Sequence, residues 1–256
     1  MNKWPLLSLG LFTLLLVSLG VNLLLYRELK STFISLYQTS LNPIGLRKYS
    51  SDIELEELPK VVFFGDSRAD QWQAPANENF QFINRGISGQ TTGQNLARFK
   101  YHITPLKPDI IVLQVGVNDL RMLPANNQTR ADIVDNCKNN IAQIIDYAQA
   151  IDARVIVTTL FPLGSGNVPL KYRPFWASLD EMEQSLNEIN QYLRSLQNRA
   201  IIFDAHALLE SKDPNKVKYY RDLLHINRLG YELLNQELES ILLKTTTESR
   251  ISGYIY

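Results

Sequence analysis

The apolar positions of this chain fall into two regimes. From Trp4 to Tyr26 they run almost unbroken and without a charge, long enough at helical rise to cross a hydrocarbon core of about 30 Å. From Val61 onward, short apolar runs alternate with stretches whose apolar residues recur every three or four positions, the pattern of buried strands and amphipathic helices. Strands are predicted at Val61–Phe64, Phe80–Asn84, Ile110–Val115, Val155–Leu160 and Ile201–Phe203. Between them, Leu96, Phe99 and Ile103 mark one helix face. Ile133, Cys137, Ile141, Ile144, Ala148 and Ile151 mark a second, started by the capping pair Thr129 and Asp132. Leu179, Met182, Leu186, Ile189, Leu193 and Leu196 mark a third, and Leu229–Leu242 forms a last helix.

Five doubly buried strands separated by helices imply an α/β fold with a parallel sheet covered on both faces. Right-handed crossovers put every strand's carboxyl end on one rim, and ligands bind there, where strand order reverses. Helical character before the domain extends to about Ser40. Asn42-Pro43-Ile44-Gly45 then breaks it. The division that follows is an N-terminal anchor over 1–30, a helical extension and linker over 31–57, a globular domain over 58–244 and a polar tail over 245–256.

The apolar run reads as an uncleaved transmembrane anchor. Its rival is a signal peptide with Lys3 as the positive end, against which the run is long and Ser18-Leu19-Gly20 is a poor cleavage site. Arg27, Lys30, Arg47 and Lys48 follow the span, and the positive-inside rule applied to them puts the domain in the cytoplasm. A single N-terminal span, together with the family resemblance given below, argues for the opposite, extracytoplasmic side, and that is the placement adopted.

Composition narrows the rest. The chain has 256 residues, 45% of them hydrophobic, enough for one sizeable core. A formal net charge of zero offers no basic field for nucleic acid. The single cysteine, Cys137, excludes an internal disulfide framework and a Cys-based metal cluster, and its place on a helix stripe makes it a small buried hydrophobe.

The chemistry-bearing residues gather at the predicted strand ends. Gly65-Asp66-Ser67 follows the first strand. A serine there is either an ordinary helix N-cap or a nucleophile set against unsatisfied N–H groups. Asn84-Arg85-Gly86-Ile87-Ser88-Gly89-Gln90 follows the second strand, and Gly116-Val117-Asn118-Asp119 the third. Asp222-Leu223-Leu224-His225 puts a carboxylate within one turn of an imidazole, and Asn227 is placed to cap the last helix. In acyl transfer Ser67 would attack a carbonyl, His225 would take its proton, and Asp222 would fix the imidazole tautomer. The N–H groups of Ser67 and Gly89 and the amide of Asn118 would hold the oxyanion.

These four blocks, in this order, resemble those of the SGNH (GDSL-like) hydrolase superfamily. The resemblance runs from Val61 to the last helix. It implies a flavodoxin-like three-layer α/β/α sandwich and cofactor-free, metal-free hydrolysis of lipid, glycan or small esters. It assigns Ser67, Asp222 and His225 to a triad and Gly89 and Asn118 to an oxyanion hole. Arg68 stands where the signature commonly has an apolar residue, implying a more polar site mouth.

Other readings of the same residues compete. His206, two residues after Asp204, is a rival base if that stretch is extended, and His102 reads as a surface residue. Gly65-Asp66-Ser67-Arg68-Ala69 is close to the elbow of α/β-hydrolases, but its serine follows the first strand and Ala69 replaces the last glycine. The long segment from Phe161 to Trp176 supplies Tyr172 and Trp176 as pocket candidates, joined by Arg68, Trp72 and Arg121. An O-acyltransferase would use the same triad. A flavodoxin-like module binding phosphate at Gly65–Ala69 would leave Asn118 and the Asp222/His225 pair unused. The partners expected are an ester substrate and, through the N-terminal helix, a membrane.

Overall fold

The alternation of apolar and helical stretches builds a five-stranded, wholly parallel sheet in the order β2-β1-β3-β4-β5. The strands are β1 (Lys60–Gly65), β2 (Gln81–Gly86), β3 (Ile110–Gln114), β4 (Arg154–Thr158) and β5 (Ile201–Phe203). Between and after them lie α2 (Ser67–Asp70), α3 (Thr92–His102), α4 (Val117–Arg121), α5 (Arg130–Gln149), α6 (Leu179–Arg194), α7 (Ala205–Lys212) and α8 (Arg228–Ser252). The computed structural model describes residues 4–49, 56–121, 129–166 and 178–252, without the side chains of 5–7 and 246–252. They form two compact units, Met1–Gly45 and Leu46–Tyr256.

Because side chains alternate along a strand, the sheet sorts its own core. Val62, Phe64, Ile111, Leu113, Val155 and Val157 pack on one face with the buried stripes of α5 and α6. Val61, Phe63, Ile110, Val112 and Ile156 pack on the other with Trp72, Phe161, Tyr231, Leu234 and Leu238. Helices therefore cover both faces, giving the three-layer α/β/α sandwich expected. Thr129 and Asp132 do form a reciprocal capping box at α5, and Ser178 with Glu181 does the same at α6.

The order 2-1-3-4-5 reverses between β1 and β3. The loops after those two strands carry Ser67 and Asn118, so both lie at the switch point where such sheets hold ligands.

Several boundaries differ from the sequence reading. β2 starts one residue later and reaches Gly86, because its register with β1 runs from Lys60↔Gln81 to Gly65↔Gly86. The polar tail is helical to Ser252, continuing α8. Asp204 does not begin an extended stretch. Its carboxylate accepts from the Ala207 N–H and caps α7, a helix the periodicity did not reveal. His102 is not on the surface: it is buried, beside the Arg98 guanidinium at 3.2 Å.

In the first unit α1 is continuous from Trp4 to Leu41. It is the one helix among the described residues long and apolar enough to cross a membrane.

Candidate active site

The loop that carries Ser67 is shaped by close approach. A Cβ at Gly65 would sit 1.8 Å from the Gln114 carbonyl oxygen, and the residue has φ +153°, so only glycine fits between β1 and β3. The Asp66 N–H donates to that carbonyl at 3.1 Å. Its carboxylate accepts from the Arg68 N–H at 2.9 Å, capping α2. α2 is a single turn, so what it offers Ser67 is local N–H groups without intrahelical acceptors, not a long helix's dipole. Gly86 lets this turn settle onto the end of β2, since a Cβ there would lie 2.1 Å from the Asp70 nitrogen.

Across the rim, the loop before α8 presents His225. Its Nε2 lies 3.0 Å from Ser67 Oγ, and its Nδ1 lies 2.9 Å from both oxygens of Asp222. Asp222 Oδ1 also accepts the N–H groups of Leu224 and His225, each at 2.9 Å, so one carboxylate shapes the turn and orients the ring. Asn227 accepts the Gly230 N–H at 3.1 Å and starts α8 just beyond. Burial pulls His225 below the usual histidine range, opposed by the Asp222 charge, which favours a neutral imidazole at rest. Burial alone would raise Asp222, but the two backbone N–H bonds and the imidazole outweigh it and hold the carboxyl low.

The glycine loop stands beside them. Gly89 has φ +82°, a left-handed conformation in which L side chains are strained. Asn118 is buried; its Nδ2 donates to the Gln90 carbonyl at 3.0 Å and its Oδ1 accepts from Arg121 at 3.2 Å. Arg121, a pocket candidate by position, is thus hydrogen-bonded to Asn118. Asp66 is buried and Asp119 half-buried, and desolvation pushes both up to about 6. Asp119 is held by the N–H and hydroxyl of Thr92 at 2.9 and 2.5 Å. Among the described residues no group of three His, Cys, Asp or Glu side chains is placed to hold a metal.

Two pocket candidates belong elsewhere. Arg68 is wholly buried. One step round the turn from Ser67, its side chain points behind the site, where Nε donates to the Leu224 carbonyl at 2.9 Å and the guanidinium lies 5.0 Å from the Phe161 ring centroid. Trp72 is a core residue packed against Phe63, Phe161 and Tyr231, its Nε1 donating to Asn235 Oδ1 at 2.8 Å. Tyr172 and Trp176 lie outside the described residues. The rival base His206 is engaged with the Leu160 carbonyl at 3.1 Å and the Asn190 amide at 3.2 Å, and Asp204 pairs with Arg194 at 2.7 Å.

One residue that organises the rim escaped the sequence reading. Arg98 is fully buried and donates to the Gly65 and Arg85 carbonyls at 2.9 and 2.8 Å and to Gln90 Oε1 at 2.5 Å, joining β1, β2 and the glycine loop. The available signal was its place beside Phe99 on the inward face of α3, with Asn95 and His102 at helical spacing.

A serine, imidazole and carboxylate in line at the switch point of a parallel sheet define the layout of a serine hydrolase. Residues 59–233 match the model of the GDSL-like Lipase/Acylhydrolase family, and the chain belongs to that family. It is 28% identical over 204 residues to the platelet-activating factor acetylhydrolase IB subunit alpha1 of Bos taurus, covering 76% of this chain and 80% of the relative. Among solved structures, a GDSL-like lipase from Bacteroides thetaiotaomicron matches with a TM-score of 0.57 and 23% identity, over 80% of this chain and 97% of that one. An acetyl xylan esterase matches with a TM-score of 0.56 and 20% identity, over 71% and 98% respectively. The two structural likenesses carry the fold.

Proposed function

We propose that this serine hydrolase cleaves short-chain, chiefly acetyl, esters through an acyl-enzyme on Ser67. The observation that carries the reading is the unbroken line from Ser67 Oγ to His225 Nε2 at 3.0 Å and from His225 Nδ1 to Asp222 at 2.9 Å. His225 takes the Ser67 proton as Oγ adds to the ester carbonyl. The negative oxygen so formed is received by the N–H groups of Ser67 and Gly89 and by Asn118 Nδ2. Collapse expels the alcohol, which leaves with the proton from His225. Water, deprotonated by the same imidazole, then releases the acid and restores Ser67. The acyl preference is supported by the name of the curated relative, a platelet-activating factor acetylhydrolase subunit.

A fluorophosphonate probe with the variants Ser67→Ala, His225→Ala and His206→Ala tests the site. Labelling and turnover should vanish in the first, turnover in the second, and neither in the third. Turnover retained by Ser67→Ala, or lost in His206→Ala instead of His225→Ala, overturns the assignment. Short and long p-nitrophenyl esters beside acetylated sugars test the acyl preference, and faster cleavage of long chains overturns it.

We further propose that α1 is retained as a membrane anchor with the domain on the extracytoplasmic side. Protease added to intact cells should then remove the domain, and full protection overturns that orientation.

A further inference from the structure

Between the end of α1 and β1, the sequence reads as a linker, and the family match begins only at residue 59. The structure shows part of that stretch bound to the catalytic rim. Lys48 Nζ lies 2.7 Å from Asp70 Oδ1, at the end of the nucleophile turn, and donates to the Gly86 carbonyl at 3.0 Å, at the root of the glycine loop. The Tyr49 hydroxyl donates to the same Gly86 carbonyl. The Tyr49 ring is held from two sides: the Arg85 guanidinium stands 4.6 Å from its centroid and His102 meets it edge-on at 5.6 Å. Asp70, so anchored, offers its second oxygen to the Ser88 hydroxyl at 2.6 Å, next to Gly89.

We propose that Lys48 and Tyr49 are positioning residues of the acyl-transfer site, setting where the glycine loop presents the Gly89 N–H relative to Ser67. Two donors converge on one carbonyl, and one of them also fixes the acceptor of Ser88. The loop is therefore clamped at Gly86 and at Ser88, while Asn118 and Arg98 hold Gln90 on the far side. Without the strap, the Gly86 carbonyl loses two donors and Asp70 loses its cation. The Ser88–Asp70 bond is then left as the loop's side-chain tie to the turn bearing Ser67, with that carboxylate less firmly held. The Lys48–Asp70 pair is partly exposed, and such pairs add little to stability. Its consequence is geometric: a displacement of about 1 Å at a reacting centre costs roughly a hundredfold in rate. Either fate of α1, retained anchor or removed leader, leaves residues 46–49 on the domain.

This role rests on Gly89 acting as an oxyanion donor. The test compares full-length Lys48→Ala, Tyr49→Phe and the double variant with wild type, using Arg47→Ala as an exposed neighbour in the same segment. The double variant should lose about tenfold or more in kcat, within the ceiling of roughly a thousandfold for loss of an oxyanion donor. KM should stay within about twofold, and melting temperature should be nearly unchanged. The rate of inactivation by a fluorophosphonate should fall by the same factor as kcat, because its phosphoryl oxygen occupies the same hole. Lys48→Arg should recover most of the rate, and Arg47→Ala should match wild type. Tyr49→Phe keeps the ring stacked and removes one hydrogen bond, so it reads the loop's placement even if the double variant unfolds. A kcat within twofold of wild type in both Tyr49→Phe and Lys48→Ala overturns the proposal. If Ser67→Ala itself remains active, the triad reading fails first; if Ser67→Ala is dead while the strap variants match wild type, only the strap's role falls.

Discussion

Arg68 Nε donates to the Leu224 carbonyl at 2.9 Å, tying the residue after Ser67 to the residue before His225. The two halves of the site, 158 positions apart along the chain, are thus joined behind the reacting atoms as well as across them. The buried guanidinium also helps hold His225 in its neutral form, after burial itself. A base works only when unprotonated, so activity should rise with pH through the depressed pKa of His225 and stay high above it. Arg68→Leu removes a nearby cation and should raise that pKa. The acid limb of kcat/KM against pH should therefore move to higher pH, and an unmoved limb would show that Arg68 does not act on the imidazole.

Asp222 has two duties that a pair of variants separates. Its Oδ1 accepts the Leu224 and His225 N–H groups and builds the turn, while the carboxylate as a whole faces His225 Nδ1. Asp222→Asn keeps an oxygen for the turn but offers an N–H to the ring, which turns the imidazole to the tautomer protonated on Nε2. That ring cannot take the Ser67 proton, so kcat should fall at least a hundredfold with the fold intact, towards the roughly ten-thousandfold that a wrong tautomer costs in such triads. Asp222→Ala should lower melting temperature as well. Equal melting temperatures for the two variants would show that the turn does not depend on the carboxylate.

In the proposed mechanism Asn118 acts on the oxyanion; its side chain also holds the Gln90 carbonyl and accepts from Arg121. Asn118→Ala should lower kcat by roughly a hundred- to a thousandfold, the usual cost of one such donor. Arg121→Ala leaves the Asn118–Gln90 bond in place and should cost less than about tenfold. Steady-state kinetics on a short p-nitrophenyl ester distinguishes the two, and similar losses would make Arg121 part of the oxyanion machinery.

What could be read from the chain follows from which signals are local. The five strands and the α5 and α6 stripes were legible because burial on a strand or helix face repeats at a fixed period, as Ile133, Cys137, Ile141 and Ile144 do. The convergence of Ser67 with His225 followed from strand ends sharing a rim and from motif order. Three features were not legible. Arg68 and Trp72 looked like rim residues by position, but α2 and the turn that ends it carry their side chains away from the opening and into the core. His102 and Arg98 lie on an inward face that polar side chains disguise as an outward one, since their partners are backbone carbonyls of distant strands. Lys48 and Tyr49 sit in a stretch with no periodicity, and their partner Gly86 is a backbone group that no side-chain pattern announces.

The last prediction concerns a charge the fold tolerates for the sake of its geometry. Asp66 is fully buried; Oδ1 accepts the Arg68 N–H, and Oδ2 has no hydrogen-bond partner among the described residues. Burial raises its pKa to about 6, against an ordinary value near 3.8. Between those values the folded state binds the proton and the unfolded chain does not. The stabilisation is therefore complete below the unfolded pKa and is lost as pH rises through about 6. At pH 8 the native protein carries an ionised carboxylate in a buried site. Asp66→Asn keeps the capping oxygen and removes that charge. Measured against wild type, its stability should improve between pH 4.5 and pH 8, by on the order of 1–3 kcal/mol. His102, His206 and His225 are all depressed by burial and destabilise the fold as pH falls through the histidine range. They are present in both proteins, so their contribution cancels in the difference. Denaturant titrations of the pair at the two pH values give the answer: a difference that does not change with pH would place the proton elsewhere.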